Sequence, residues 1–147
     1  MDMFDEAFGS FAEKKKFGPH EGVAGILLGA SACDGHIADE EVQRLVSALT
    51  RMKMYQQVSE RKFGTMMDSL LGTLKRGGPE KLVELCAPVV PAELAETVFA
   101  NACNIVLADG VVEDEEKEFL NTIMNKLEIS KDRAMTIIRV MVIKNKG

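Results

Sequence analysis

ACDGHIADEE, residues 32–41, and LADGVVEDEE, residues 107–116, share one pattern: Asp-Gly, an aliphatic residue two places after the glycine, then acids. A shift of 75 positions lays Asp34 on Asp109, Gly35 on Gly110, Ile37 on Val112, Asp39 on Asp114, and Glu40–Glu41 on Glu115–Glu116. The segments before the turns keep the same register, with Val23 on Val98, Leu27 on Ala102 and Ala30 on Ile105. Each copy therefore reads as an apolar helix, a DG turn and a second helix whose first turn is acidic. Two such units in one chain predict an all-α protein: a compact bundle of about seven or eight helices built from two pseudo-symmetric helix–DG turn–helix repeats.

Apolar residues outside the turns follow the same period. Val23, Ile26, Leu27 and Ala30 fall at i, i+3, i+4 and i+7, as do Val42, Leu45, Val46 and Leu49. Phe63, Met66, Met67, Leu70 and Leu74 form a third stripe. Leu120, Ile123, Met124 and Leu127 form a fourth, and Ala134, Ile137, Ile138 and Met141 a fifth. RGGPE, residues 76–80, ends a long helix at its glycines and opens a short one after Pro79. Ser130 is the predicted N-cap of the last helix. The expected organisation is one domain over 1–147: an N-terminal helix at 1–18, a first repeat at 20–56, connecting helices at 57–90 and a second repeat at 91–147.

Composition narrows the function classes. With 46% apolar residues in 147, the chain can bury roughly 70% of its unfolded surface. A net charge of −5 supplies no basic stripe for phosphates, so nucleic acid is not an expected partner. Cys33, Cys86 and Cys103 are odd in number and lack CxxC spacing, which reads as reduced, mostly buried thiols. The opening residues lack the continuous apolar run of a secretion signal, and no segment approaches the ~20 apolar residues of a membrane span. The expected location is the cytoplasm.

Three readings account for the acidic turns. In the first, Gly35 and Gly110 adopt the left-handed conformation that ends a helix, and the acids complement the next helix's positive end. Ala38 and Glu113 are then N-caps, and Glu41 and Glu116 at N3 reach back to the cap amides. The second reading is a calcium-binding EF-hand loop. Its second half fits, but the first half would put ligands at Ala30 and Ala32, or Ile105 and Leu107, which are apolar. The third is a shared cation site. Four acids between 34 and 41 and six between 109 and 118 are ten of the chain's 23, more than capping needs. Folded onto one end, Asp34, Asp39, Glu40, Glu41, Asp109, Glu113, Asp114, Glu115 and Glu116 would offer oxygen ligands to a divalent ion such as Ca²⁺.

These residues resemble the TerB-like family, associated with tellurite resistance and chemical stress. The resemblance lies in two helix–DG–helix copies ending in an EE pair, and it spans about 20–145. NIVLADGVVEDEEKEFLNTIMNKLEIS is the closer copy; GILLGASACDGHIADEEVQRLVSAL departs from the pattern with Cys33 before the aspartate and Ala38 where a small polar cap is commoner. FDEAFGSF and MVIKNKG also resemble a short, single-domain cyanobacterial type. The resemblance implies an all-helical cytoplasmic protein without catalysis, an acidic surface for metal ions, and protein partners in a stress-response assembly near the membrane's inner face. Carried over residue by residue are Asp34, Gly35, Glu40, Glu41, Asp109, Gly110, Glu115 and Glu116.

Remaining motifs point elsewhere. Cys33 and His36 are two ligand types three apart, but the second copy has Ala108 and Val111 there. No nucleophile motif or phosphate loop is present, and exposed first-turn carboxylates are poorly tuned for acid–base work, so no enzymatic activity is expected. A metal-free adaptor, its acidic face meeting a basic protein, is the alternative to a cation binder. Phe4, Phe8 and Phe11, followed by Lys14–Lys16, form an amphipathic piece expected to pack on the domain, or else to dock on a membrane or another protein. Gly64 and Gly72 share a face of the long helix, where a neighbour is expected to approach closely.

Overall fold

Pro19 and Ser31 bound the helix on which the rest of the protein is assembled. In a computed structural model describing residues 17–108 and 110–147, this helix, α1 (Pro19–Ser31), is buried continuously from Gly22 to Ala30. The predicted one-sided stripe understates it. GVAGILLGA has no polar residue with which to face water, so every side is covered, and a helix apolar all round belongs inside. Val23, Ile26, Leu27 and Leu28 are at most 2% exposed, and each contributes about 1.5–3 kcal/mol by leaving water.

Around it stand α2 (Asp39–Thr50), α3 (Glu60–Cys86), α4 (Ala95–Leu107), α5 (Asp114–Lys126) and α6 (Lys131–Lys144), with short 3₁₀ turns at Lys53–Tyr55, Ala87–Val89 and Ala92–Leu94. The all-α class is observed, with six α-helices and no strand among the described residues. The expected seven or eight is not reached, for two reasons. The N-terminal helix predicted at 1–18 falls largely outside the described residues. The two helices predicted around RGGPE run as one element, α3, kinked where Gly78 takes φ 84° ahead of Pro79. Among the described residues no helix is long and apolar enough to cross a membrane.

Close packing comes from glycines other than those singled out in the sequence. A Cβ on Gly22 would come 2.7 Å from Val89 Cγ2 and 3.0 Å from the Cys86 carbonyl. A Cβ on Gly25 would collide with Cys86 Sγ, and one on Gly29 would sit 3.1 Å from Phe119 Cζ. These three let α1 settle against the end of α3 and the start of α5. Gly64 has open space where its side chain would be, and Gly72 meets only Arg76 of its own helix. The close approach expected at those two positions is therefore on α1 instead.

The start of α1 is pinned by a contact pair that spacing did not announce. His20 Nε2 donates to the Met54 carbonyl at 2.7 Å, and Tyr55 Oη donates to the His20 carbonyl at 2.7 Å. Tyr55 also meets Phe63 edge-on at 5.6 Å. The predicted Ser130 cap is present, its Oγ accepting from Arg133 N at 3.2 Å.

Candidate functional site

Helix α1 runs toward the first DG turn and α4 toward the second, so where these helices end decides whether the acids meet. Gly35 and Gly110 both take the left-handed conformation, with φ 89° and 78°. Each amide donates to the carbonyl three residues back, Gly35 to Ala32 at 2.9 Å and Gly110 to Leu107 at 3.1 Å. The helices run through what would be the first half of an EF-hand loop: Ala30 lies inside α1, and Ile105 and Leu107 inside α4. Backbone already hydrogen-bonded as helix cannot wrap an ion there, so that reading is excluded.

The two turns lie at one end of the bundle. Phe119, from the second turn of α5, rests on Gly29 near the end of α1. Cys33, just before Asp34, senses the other copy directly. Its thiol is pushed up to about 11, first by burial and then by the carboxylates of Glu116, Asp34 and Glu115. Two of those three acids belong to the second turn.

The carboxylates are not equivalent. Asp34, Asp39, Glu40, Glu113, Asp114 and Glu115 are exposed, whereas Glu41 and Glu116 are half-buried. Asp34 Oδ1 accepts from the His36 amide at 3.0 Å, closing its own turn. Glu116 Oε1 accepts from the Glu113 amide at 2.9 Å, the expected reach-back of an N3 glutamate. Ala38 caps α2 without a side-chain bond, leaving the first turn to the helix dipole alone. Lys117 lies 3.8 Å from Asp114, a loose and exposed pair that neutralises little of the pole. Among the described residues, no three of His, Cys, Asp and Glu are grouped so as to hold a metal ion. Asp109 lies outside the described residues, and so do Phe4, Phe8, Phe11 and Lys14–Lys16.

Among the described residues, the Cys33–His36 pair gains no third ligand. Cys33, Cys86 and Cys103 are free, and burial pushes the latter two thiols up to about 12. They remain protonated at neutral pH, unsuited to nucleophilic or redox work.

A second feature escaped the sequence reading. Between α4, α5 and α6 lies an apolar groove of about 470 Å³, floored by Phe99, Cys103 and Val106 and walled by Leu120, Met124 and Ile138. Among the described residues, Lys117 and Lys131 are its only charged lining residues. The missed signal was on α6, where Met135 and Val142 line the groove and, like Val140 and Ile143 outside it, are apolar yet off the predicted stripe. They are exposed, and Ala134 is the one buried residue of that helix.

A family model described as tellurite resistance protein TerB matches residues 20–139. No curated protein and no solved structure matches the chain.

Proposed function

The chain belongs to the tellurite resistance protein TerB family, and from that premise we propose that its two acidic turns act together as one weak divalent-cation site, of calcium type, in a cytoplasmic stress-response protein without catalysis. The observation that carries this reading is the packing of Phe119, from the second turn of α5, on Gly29 near the end of α1, which brings the two turns toward one end. Pooled carboxylates at a shared pole raise the local concentration of cations more than two separate helix starts would. In this reading the two halves are related as pseudo-symmetric copies, each supplying one turn.

The donor chemistry suits a hard cation, because every candidate is a carboxylate oxygen. Asp34, Glu41, Asp109 and Glu116 are the residues assigned to hold it, with Asp39, Glu40, Glu113, Asp114 and Glu115 adding charge. No preformed cage exists among the described residues, so binding requires side chains to swing inward, and the affinity expected is that of an extracellular-type module, about 10⁻⁴–10⁻³ M.

Calorimetric and amide-NMR titration with Ca²⁺, Mg²⁺, Mn²⁺ and Zn²⁺ tests this. The expected result is a saturable shift centred on Gly35 and Gly110 with calcium, lost in Glu41→Gln/Glu116→Gln. Absence of any saturable shift at millimolar metal removes the cation site. The exposure of most of these acids favours a second reading in that event: a metal-free adaptor whose pole meets a basic protein of a stress-response assembly. Binding of such a partner would weaken with salt and be lost when Glu40, Glu41, Glu115 and Glu116 all become Gln.

A further inference from the structure

Helix α6 is fastened to α4 at its two ends and left loosely covered between them. Near its start Arg133 grips Glu96, and at its finish Lys144 Nζ and Asn145 Nδ2 both donate to Asn104 Oδ1 at 3.0 Å. The groove opens along the stretch between, where Met135 and Val142 stand 40% and 38% exposed. Its surface is almost wholly hydrocarbon and sulfur. In a chain of net charge −5 its lining includes, among the described residues, two lysines and no acid.

We propose that this groove binds a long-chain carboxylate, with its hydrocarbon along Leu120, Met124 and Ile138 and its head at Lys131. The two lysines are not interchangeable. Lys117 stands in the first turn of α5, beside the acidic pole and 3.8 Å from Asp114, so an anion there meets repulsion. Lys131 opens α6 at the opposite end, where the helix N-terminus adds positive potential; Asp132 of the same turn is exposed and lies outside the groove's lining. Size also selects a single chain. A helix is about 10–12 Å across with its side chains, too wide for several turns to enter 470 Å³. From Lys131 to Val142, the lining stretch of α6, the helix runs about 16 Å at 1.5 Å per residue, which corresponds to an extended chain of about a dozen carbons. Volume, apolar walls and one convergent charge together describe a small-molecule site.

The test uses the full chain with methyl-labelled methionine, titrated with octanoate, decanoate, dodecanoate and tetradecanoate below their aggregation thresholds. Saturable shifts of the Met124 and Met135 methyls are expected. Affinity should rise about fourfold per added methylene and level off once the groove is full, beyond about 12–14 carbons. Lys131→Glu should weaken dodecanoate at least tenfold, Lys117→Glu should change it less than threefold, and Val142→Trp should block the groove, with thermal melts showing all three folded. Decanol, the uncharged counterpart of decanoate, should bind wild type and Lys131→Glu alike. The proposal is overturned by the lack of a saturable shift, by dodecanoate binding that ignores Lys131→Glu, or by affinity that survives Val142→Trp. It is equally overturned if Phe4, Phe8 or Phe11 protons contact the Met124 methyl, since the chain's own first residues then fill the groove. Ligand-free methyl shifts that move with protein concentration would instead assign the groove to a second copy and overturn it too.

Discussion

Arg133 holds Glu96 with both arms of its guanidinium, Nε donating to Oε2 at 2.7 Å and Nη2 to Oε1 at 3.2 Å. The two residues are 37 apart in the chain, and their contact fixes the start of α6 on the first turn of α4. Both side chains are largely exposed, at 60% and 47%, so water and salt share in the interaction. It ties the start of α6 to α4, two of the helices between which the groove lies.

Arg133→Ala should therefore change the melting temperature little while loosening α6 selectively. Amide hydrogen exchange over residues 133–138 should rise clearly above wild type, with α1 unaffected. Uniform acceleration through α1 would show that the pair supports the whole fold rather than one helix.

Gly25 and Gly64 should answer alanine in opposite directions. A methyl at Gly25 collides with Cys86 Sγ inside the core, and overpacking of this kind costs about 1–3 kcal/mol. A methyl at Gly64 meets nothing within 4 Å on an exposed helix face, where alanine in place of glycine adds about 0.5–1 kcal/mol of stability. Urea unfolding of both variants measures the contrast.

At the DG turns, Gly35→Ala and Gly110→Ala should each lose about 1–2 kcal/mol, because a Cβ at φ 89° or 78° is strained although no neighbour obstructs it. Asparagine tolerates that backbone better than alanine, so Gly35→Asn should recover part of the loss. Equal stability of the alanine and asparagine variants would rule out the backbone as the cause.

Alkaline pH should destabilise the protein through its thiols. Burial raises Cys86 and Cys103 from 9.0 to about 12 and, with neighbouring acids, Cys33 from 9.0 to about 11. Burial raises Tyr55 in the same direction. Folded values above unfolded ones mean that these contributions are intact below pH 9.0 and are lost as pH climbs through 11 to 12. Denaturant midpoints between pH 8 and 11 should fall, and more shallowly in Cys86→Ala/Cys103→Ala. A thiol reagent near neutral pH should modify Cys33 first, since it alone is half-buried.

The helical stripes were legible because a 3.6-residue period is a local property of the chain. Phe63, Met66, Met67, Leu70 and Leu74 are all buried as their spacing requires. The Ser130 cap and the left-handed glycines were legible for the same reason, since each depends on a few consecutive residues. Glu116 makes its predicted bond, whereas Glu41 lacks one to Ala38, although both occupy N3 of matching turns. The stripe on α6 was misleading in part: Ile137, Ile138 and Met141 are only half-buried, because α6 meets the core along one thin line.

The sequence by itself determined that helices form, that they break at Gly35 and Gly110 and are disturbed at Gly78, and that acids begin α2 and α5. These follow from backbone sterics, apolar period and helix-end electrostatics, all acting within a turn or two of one another. Tertiary structure alone decided which glycines admit a neighbour, that Glu116 lies close enough to influence Cys33, and that α6 leaves a groove open over Phe99 and Met124. Those outcomes depend on how whole helix surfaces fit one another, and a residue's own neighbours in the chain carry no record of the shape it will face.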